Sequence, residues 1–597
     1  MKEKLKSFFP NLVYGMKITY TASPLFFILK GVFTLIQSAL PFINIFIWRN
    51  VINFLANPEG FDGINVLIIN VSAYMMVYLA TEFLKRVEQY ISYKYNDKCT
   101  LFIESIMIEK FAEVDLAFYD SSKLQDKLRQ SWQIKNSTTE IGISIFWLLR
   151  NIITFTVALV LLAQLSVLYV LVILILLLPV FFIKNNVNTR NYLFYEDNSN
   201  TSGRMWYFKS VFSNINSSFD IRLFNLKDFF LKKYIDTWRE EYQRRKDLST
   251  KTTVFTLASV IISSFTNQIL LYLILIYRLA SRAIQIGDAV YYTAIFSHFH
   301  HSTNSLIDQF SHMTNYILKQ IATVKEFIEL KPVVQKSGTL EPKAFKEITF
   351  SHVDFKYPGK DVYILQDCTF TIKRGQTIGL VGENGSGKST IVKLLLRLYD
   401  IDGGEILLDG VDIKEFDIVK YRSMFGVLFQ DFVKYSFTLR ENVSLSDHEC
   451  VNDDERINDA INKSELIEIV RDWEKKLESP LTRQFEEDGK ELSGGQWQRV
   501  ALARVFFSNR DFIVLDEPSA SLDVFAEEKI FRWFEKLSDN RSSLIISHRL
   551  SSIVNADVIV VLKDGKIVEK GSHRDLLDSD GYYAELFNLQ AGRYVSS

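Results

Sequence analysis

The hydrophobic positions divide the chain into two parts with different patterns. Residues 160–183, VLLAQLSVLYVLVILILLLPVFFI, contain no charged side chain, and about 20 apolar residues are enough to span a bilayer. Apolar runs of helical length recur up to residue 312, whereas short β-rich runs alternate with helical patterns from residue 348 onward. The pattern therefore predicts an α-helical membrane domain followed by an α/β domain.

Six membrane spans are predicted in the first part. Their approximate limits are 24–47, 64–84, 139–163, 165–184, 253–279 and 288–312. The segments 85–138 and 185–252 are long and rich in Lys and Arg, while the loops 49–63 and 280–287 are short and carry few basic residues. Because basic loops tend to stay in the cytoplasm, both termini and the long segments are predicted to be cytoplasmic. Spans two to five are expected to continue as helices well beyond the membrane.

The domain limits follow from the same pattern. Residues 1–325 are predicted to form the membrane domain, and 326–345 a linker in which Pro332, Gly338 and Pro342 interrupt helical periodicity. Residues 346–597 form the predicted α/β domain. The net charge of −1 gives no argument for a nucleic-acid partner, and the three cysteines lack the spacing of a metal or disulfide site. No removable signal peptide is predicted.

The segment TIGLVGENGSGKST is an apolar run that ends in a phosphate-binding loop. Gly382–Ser389 fits the pattern G-x-x-x-x-G-K-[ST]. In such a loop backbone N–H groups surround the β-phosphate, Lys388 reaches the β and γ oxygens, and Ser389 would bind Mg²⁺. The predicted nucleotide-binding residues are Gly382, Glu383, Asn384, Gly385, Ser386, Gly387, Lys388, Ser389 and Thr390. The loop alone leaves every class of nucleoside triphosphatase open.

A second apolar run, Phe512–Leu515, ends at two adjacent acids. Asp516 is predicted to place a carboxylate near the metal ion, and Glu517 to polarise the attacking water as general base. Two acids after a strand can also be a plain strand end, but the phosphate loop upstream favours the catalytic interpretation.

The motif LSGGQ, residues 492–496, directly precedes a helical pattern. A glycine-rich loop at a helix N-terminus is a second anion site, to which Ser493 adds a hydroxyl donor. With this motif the chain resembles the ATP-binding cassette (ABC) superfamily along its whole length, and six spans followed by one cassette resemble a half-transporter of the exporter type. The resemblance implies that Ser493, Gly494, Gly495 and Gln496 close on ATP held by a partner cassette. Two chains are then needed for a closed site.

Further positions match the family in order and spacing. The resemblance implies that Tyr357 stacks on adenine, that Gln430 links the Mg²⁺ of the nucleotide to the membrane domain, and that Asp523 crosses the dimer interface. It also implies that His548 contacts the γ-phosphate and the attacking water. The expected cofactors are ATP and Mg²⁺, the latter bound by Ser389, Gln430 and Asp516, and the expected catalytic residues are Glu517, His548 and Gln430.

Two positions depart from the family pattern. Trp497 stands where a basic residue is usual, and Glu486 occupies the usual glycine position of the short motif before the signature. We expect an aromatic contact at Trp497 and an effect of either departure on coupling to the membrane domain. Breaks in periodicity near 115–122 and 216–225 are candidates for coupling helices, with plain loops as the alternative.

The catalytic motifs also bear on the oligomeric state. Since Glu517, His548 and the signature are all present, two identical chains would form two competent sites. This favours a homodimer, and a heterodimer with a degenerate partner stays open.

The sixth predicted span holds four of the chain's eight histidines. At about 100° per residue, one arc of this helix carries a polar stripe, formed by His298, His301, Ser305, Asp308 and His312. Ionisable groups in a bilayer normally face a bundle interior or an aqueous cavity, so the preferred interpretation is a cavity wall that binds or passes a hydrophilic substrate. Hydrogen bonding between helices and a metal site with two histidine ligands are the alternatives. His300 lies outside the stripe and receives no role.

The segments VLFQDFVKYSFTLRENV and LSGGQWQRVALARVFF are similar to those of lantibiotic exporters that lack a fused peptidase. The resemblance implies outward transport of a modified peptide across a bacterial plasma membrane, with peptide-modifying enzymes as further partners. Export of drugs or lipids, import, and an ATP-gated channel or regulator remain the alternatives.

Overall fold

The computed structural model describes residues 2–56, 60–120, 122–261, 266–330, 334, 338–343, 345–517, 541–547 and 549–595. Residue contacts divide the chain into two units. The first comprises Met1–Ala112 and Asp126–Leu330, and the second comprises Glu113–Gln125 and Lys331–Ser597. The described part of the first unit is helical, and every described strand lies in the second unit. The predicted fold class, a helical membrane domain followed by an α/β domain, is confirmed.

Long helices build the first unit. In chain order they are α1 Lys2–Ala22, α2 Pro24–Ala56, α3 Gly60–Glu113, α5 Ser122–Leu165, α6 Val167–Asp197, α7 Ser199–Ser213, α8 Ile215–Leu223, α9 Lys227–Val260, α10 Thr266–Ala280, α11 Ile286–His312 and α12 Leu318–Ile328. A π-helix, Met313–Ile317, joins α11 to α12. The short helix α4, Leu116–Asp120, falls in the second unit.

Four helices in the described part of the chain are long and apolar enough to cross a membrane. They are α2, α3, α5 and α6, which correspond to the first four predicted spans. Helix α10 is apolar but shorter, and the fifth predicted span also includes residues 262–265, which lie outside the described residues. Helix α11 coincides with the sixth predicted span, but it is not among the four because its polar stripe lowers its hydropathy. A total of six spans therefore stays a prediction.

The core of the first unit joins α5, α6, α10 and α11. Leu162, Leu271 and Ile295 are fully buried in it. The hydroxyl of Tyr169 donates a hydrogen bond to the carbonyl of Asn267 at 3.1 Å, which ties α6 to α10. Only Ser166 separates α5 from α6, in agreement with the short junction predicted between spans three and four.

Two sheets form the second unit. One has six strands in the order β10-β9-β3-β8-β7-β6, in which β10 alone is antiparallel, and the other has four antiparallel strands in the order β2-β1-β4-β5. The strands are β1 Glu347–Phe355, β2 Leu365–Lys373, β3 Thr377–Gly382, β4 Gly403–Leu408, β5 Val411–Asp412, β6 Phe425–Leu428, β7 Phe512–Asp516, β8 Ser542–Ile546, β9 Val558–Lys563 and β10 Lys566–Gly571. In such a sheet, ligands bind beyond the carboxyl ends of the parallel strands.

Helices cover the six-stranded sheet and follow its loops. They are α13 Lys388–Leu395, α14 Ile418–Arg422, α15 Leu439–Ser444, α16 Asp454–Lys463, α17 Ile467–Val470, α18 Gly494–Ser508, α19 His573–Asp578 and α20 Tyr582–Val595. Strand β7 is buried throughout. Ile513 and Leu515 point to the core shared with α15–α18, and Val514 points to the core shared with the four-stranded sheet. Burial on both faces explains why the strand sequence is continuously apolar.

The segment around α4 belongs to the second unit, although the predicted domain limits placed it within 1–325. Ala117 is buried in a core that includes Phe355 and Tyr399, and the carboxylate of Asp115 accepts a hydrogen bond from the backbone N–H of Val334 at 3.1 Å. The described residues 115–120 of the candidate coupling segment 115–122 are therefore anchored to the α/β domain.

Candidate functional site

The phosphate loop connects β3 to α13. Gly382, Gly385 and Gly387 have positive φ values of 154°, 82° and 107°, which glycine adopts without steric cost. A Cβ atom at Gly382 would lie 2.3 Å from the carbonyl oxygen of Leu562, and one at Gly387 would lie 2.6 Å from a methyl carbon of Leu365. Both the backbone angles and the close neighbours therefore require glycine.

The loop holds a buried ammonium group and a buried hydroxyl. Lys388 donates hydrogen bonds to the carbonyl oxygens of Gly382 and Glu383 at 2.9 and 2.8 Å. Burial lowers the pKa of Lys388, against the opposing effect of Glu517 and Asp516. The hydroxyl of Ser386 is buried without a hydrogen-bond partner in the described part of the chain. A buried polar group without a partner is costly, and together these groups fit a phosphate.

Strand β7 places Asp516 beside the first residues of α13. The Ser389 hydroxyl donates a hydrogen bond to an Asp516 carboxylate oxygen at 3.3 Å. Asp516 is 5% exposed, and burial raises its pKa to about 6. Mg²⁺ takes oxygen ligands and is held in such sites by one or two protein groups together with phosphate oxygens. The hydroxyl and the carboxylate fit that arrangement.

Glu517 follows Asp516 in a left-handed conformation, with φ of 48°. Its backbone N–H donates to the carbonyl of Ile546 at 3.0 Å, which ties it to β8. The side-chain amide of Gln430 donates to a Glu517 carboxylate oxygen at 2.6 Å. Two residues predicted to take part in catalysis are thus in direct contact.

Tyr357 lies at the end of the site nearest to β1. Its ring makes edge contacts with Phe355 and Tyr399, at centroid distances of 5.1 and 5.4 Å. Its hydroxyl shares a hydrogen bond with Thr390 at 3.1 Å and accepts one from Lys393 at 3.3 Å. The predicted adenine platform is therefore fixed to α13, the helix that begins at the phosphate loop.

A pocket of about 450 Å³ connects these groups. It is lined by Tyr357, Ile364, Asn384, Gly385, Gly387, Lys388, Ser389, Thr390, Gln430 and Glu517. The structure thus brings together residues from four separate motifs, and the pocket runs from the adenine platform to the predicted general base.

The signature residues form the N-terminus of α18. Ser493 is the N-cap, with its hydroxyl accepting from the N–H of Gln496, while the Gln496 side chain accepts from the N–H of Ser493. This reciprocal pair is a capping box. None of the four signature residues lines the pocket described above. In one chain, the signature and the phosphate loop are therefore separate surfaces.

The two departures from the family pattern differ in burial. Trp497 is 3% exposed and belongs to the core beneath α18, so its aromatic contact is a packing contact. Glu486 is exposed, and its carbonyl accepts from the N–H of Gly489 at 3.1 Å in a tight turn. A Cβ at Gly489 would lie 1.8 Å from the carbonyl oxygen of Thr482. Glycine is therefore required at position 489.

Two predicted site residues, Asp523 and His548, lie outside the described residues. The neighbours of His548 are described: the N–H of Arg549 donates to the Ser547 hydroxyl at 3.0 Å, and that hydroxyl donates to the Arg549 carbonyl at 3.1 Å.

The polar stripe of α11 lies in the first unit. His301, Asp308 and His312 are exposed, and His298 and Ser305 are half-buried. On the other side of α11, Ile295, Phe299 and Met313 are buried, whereas Phe310 is 38% exposed. The stripe is thus the accessible side of α11 over most of its length.

Several stripe residues contact neighbouring helices. Lys184 of α6 donates to both carboxylate oxygens of Asp308, at 3.3 and 3.2 Å. The ring of His298 lies 5.7 Å from that of Phe42 of α2, and a ring nitrogen of His312 lies 3.8 Å from a carboxylate oxygen of Glu140 of α5. Within the described ranges, no group of three or more His, Cys, Asp or Glu side chains is placed to hold a metal ion.

The sequence reasoning missed three contacts that the structure shows. His300, which received no role, has a ring nitrogen 2.9 Å from the side-chain amide of Asn304. Lys184, which directly follows the apolar run 160–183, forms an ion pair with Asp308. A single cation at the end of such a run indicates a partner for its charge within the helical bundle. The contacts of Tyr582, described below, had no sequence signal.

Comparison with known proteins places these features in context. Residues 365–520 match the family model described as "ABC transporter". The chain is 27% identical to the subtilin transport ATP-binding protein SpaT of Bacillus subtilis over 96% of this chain and 92% of that protein. It is 28% identical to the nisin transport ATP-binding protein NisT of Lactococcus lactis subsp. lactis, over 98% of this chain and 97% of that protein.

Two further known proteins are similar to this chain over different fractions of its length. The ATP-dependent lipid A-core flippase of Escherichia coli (strain K12) is 39% identical over 42% of each chain. The structure of a bacterial Atm1-family ABC exporter with ATP bound has a TM-score of 0.74 and 20% identity, covering 99% of this chain and 98% of that chain.

Proposed function

We propose that this chain exports a modified peptide of the lantibiotic type as a homodimer, with ATP hydrolysis coupled to transport. Its ABC transporter domain at residues 365–520 and its ABC exporter fold support the ATP-driven part of the proposal. The observation that supports a peptide cargo is the fraction of this chain that each relative matches. The subtilin and nisin transport proteins match 96% and 98% of the chain, whereas the lipid A-core flippase matches 42%. A likeness that includes the membrane domain bears on cargo more directly than one of cassette length.

The proposed ATP site uses the groups of the pocket in order. Adenine stacks on Tyr357, the phosphates lie against the glycine loop, and Lys388 neutralises their charge. Ser389 and Asp516 would hold Mg²⁺, which would supply charge stabilisation at the phosphates. Glu517 accepts a proton from the attacking water, and its contact with Gln430 keeps the carboxylate oriented.

A dimer is proposed because one chain does not close the site. The signature residues are absent from the lining of the nucleotide pocket, and the N-terminus of a helix such as α18 attracts anions. A second copy would place its signature over the phosphates of the first. MgATP would then clamp the two cassettes, and hydrolysis would release them.

Two surfaces are proposed to carry this movement to the membrane domain. In the candidate segment 115–122, Ala117 and Asp115 are anchored in the α/β domain. On α8, within the second candidate segment 216–225, Phe219 and Leu223 are 71% and 75% exposed. Large apolar side chains that share one exposed surface mark an interaction site.

The polar stripe of α11 is proposed to line the path of the peptide. Its exposed members, His301, Asp308 and His312, offer hydrogen-bond donors and acceptors to a hydrophilic cargo. We further propose that the chain lies in a bacterial plasma membrane with both termini in the cytoplasm.

Uptake of a labelled modified precursor peptide into inside-out vesicles tests the proposed cargo. The expected result is MgATP-dependent uptake by the wild-type chain and none by the Glu517→Gln variant, which should bind nucleotide but barely hydrolyse it. A second variant, with His298, His301 and Asp308 replaced by alanine, should keep basal hydrolysis and lose stimulation by the peptide.

Other outcomes would replace the proposal. Absence of uptake, with hydrolysis stimulated by amphipathic drugs or lipids, would indicate an exporter of those compounds. Ion conductance without stoichiometric movement of peptide would indicate a channel. Unchanged peptide stimulation in the triple variant would remove the stripe from the transport path.

A further inference from the structure

The last described helix, α20, is fixed at its N-terminus by residues of neighbouring elements. The backbone N–H groups of Tyr582 and Tyr583 donate to the two carboxylate oxygens of Glu569 on β10. The hydroxyl of Tyr583, a buried residue, lies 2.7 Å from a ring nitrogen of His573 on α19. Helix α20 therefore has a defined position on the sheet that carries the phosphate loop.

Tyr582 extends from this helix to the phosphate loop. Its hydroxyl donates to a carboxylate oxygen of Glu383 at 2.8 Å, and its ring lies 4.2 Å from the Lys563 ammonium. Burial and the hydrogen bond to Glu383 raise the pKa of Tyr582 to about 12, so the hydroxyl keeps its proton at physiological pH. The carbonyl of the same Glu383 accepts from Lys388. A chain of contacts thus leads from α20 to the phosphate-binding lysine.

Gln590, two turns further along α20, contacts the chain after β8. Its side-chain oxygen accepts a hydrogen bond from the backbone N–H of Leu550 at 3.0 Å. Leu550 is buried and stands two residues after His548 in the sequence. One helix therefore contacts both the phosphate loop and the segment that leads away from the predicted γ-phosphate histidine.

We propose that α20 positions two parts of the ATP site: Tyr582 is a positioning residue for the phosphate loop through Glu383, and Gln590 is a positioning residue for the backbone at Leu550. Neither side chain touches the reacting atoms. Their effect is to hold the phosphate loop and the backbone at Leu550 in place while the cassettes bind and release nucleotide. The inference concerns ATP hydrolysis alone and stands whichever cargo the chain exports.

The two contacts make different kinetic predictions. Tyr582→Phe removes the hydroxyl and keeps the ring, so we expect the KM for MgATP to rise about 3- to 10-fold with kcat within about twofold, the effect of one lost hydrogen bond. Gln590→Leu should lower kcat by a similar factor of about 3 to 10 with little change in KM. Gln590→Glu keeps an acceptor oxygen for Leu550 and should restore most of kcat.

The test measures steady-state phosphate release by the purified full-length chain in proteoliposomes, together with its melting temperature. Asn588→Leu, an exposed change on the same helix, is the matched control and should behave as wild type. In a Glu383→Ala background, Tyr582→Phe should have no further effect on KM. This double-mutant cycle distinguishes an effect of Tyr582 that acts through Glu383 from a general loss of packing.

Two results would overturn the inference. One is wild-type KM and kcat in both Tyr582→Phe and Gln590→Leu. The other is a parallel loss of kcat and melting temperature in both, with Gln590→Glu as impaired as Gln590→Leu, because α20 would then act only through global stability.

Discussion

The side-chain amide of Gln430 donates a hydrogen bond to the carboxylate of Glu517 across 2.6 Å, although the two residues are 87 positions apart. The backbone N–H of Glu517 also donates a hydrogen bond to the carbonyl of Ile546, which fixes the main chain at this position. The orientation of the predicted general base therefore depends on a side chain in the exposed segment that follows β6.

Replacing Gln430 tests this dependence. Gln430→Glu would place a second carboxylate against Glu517, and like charges in contact disfavour ionisation of both. We expect kcat for ATP to fall by about 100-fold, against about 10-fold for Gln430→Ala, because a mispositioned base loses part of its catalytic contribution. Phosphate release by the reconstituted chain measures both. A larger loss for Gln430→Ala than for Gln430→Glu would contradict the contact as the cause.

Glu517→Gln should separate binding from hydrolysis. An amide cannot accept the proton of the attacking water, so we expect kcat to fall by at least about 100-fold. Lys388, Ser389 and Asp516 are untouched, so MgATP affinity should stay within a few-fold of wild type. Titration with a fluorescent ATP analogue, alongside phosphate release, measures both quantities. A rate within tenfold of wild type would show that another group is the base.

The nucleotide site was largely predictable from sequence because each motif is local and sits at a strand end. The loop after β3 and the acids after β7 meet because parallel strands deliver their carboxyl ends to one edge. The Tyr582–Glu383 contact was not predictable, since it joins residues 199 positions apart and depends on the order of strands in the sheet. The same holds for Lys184 and Asp308, whose pairing depends on which faces of α6 and α11 meet. The assignment of 113–125 to the second unit likewise required the fold.

Trp497 should matter for stability more than for chemistry. It is buried in the core beneath α18, so Trp497→Ala is expected to cost about 3–5 kcal/mol through lost contacts and a cavity. Trp497→Arg, which introduces the kind of residue usual in the family, removes the same packing contacts and should also lower the melting temperature. Thermal unfolding of the purified full chain measures the effect, with Trp497→Phe as the milder control. A melting temperature unchanged in Trp497→Ala would contradict the burial argument.

The Lys184–Asp308 pair distinguishes a cargo-binding stripe from a contact between helices. The Asp308 side chain is 57% exposed, whereas that of Lys184 is 15% exposed, so the carboxylate is the part that a cargo can reach. Exchanging the two charges, with Lys184→Asp and Asp308→Lys together, keeps an ion pair between α6 and α11 but presents an ammonium on the stripe. We expect the double variant to recover the melting temperature lost in either single variant.

Peptide stimulation of hydrolysis should not recover in the charge-exchanged chain, because the group facing the cargo has changed sign. The measurement is phosphate release with and without the modified peptide, and His301→Ala serves as a stripe variant outside the ion pair. Full recovery of stimulation in the double variant would mean that Asp308 acts only by joining the two helices. Loss of stimulation in His301→Ala together with an unrecovered double variant would place both side chains on the path of the peptide.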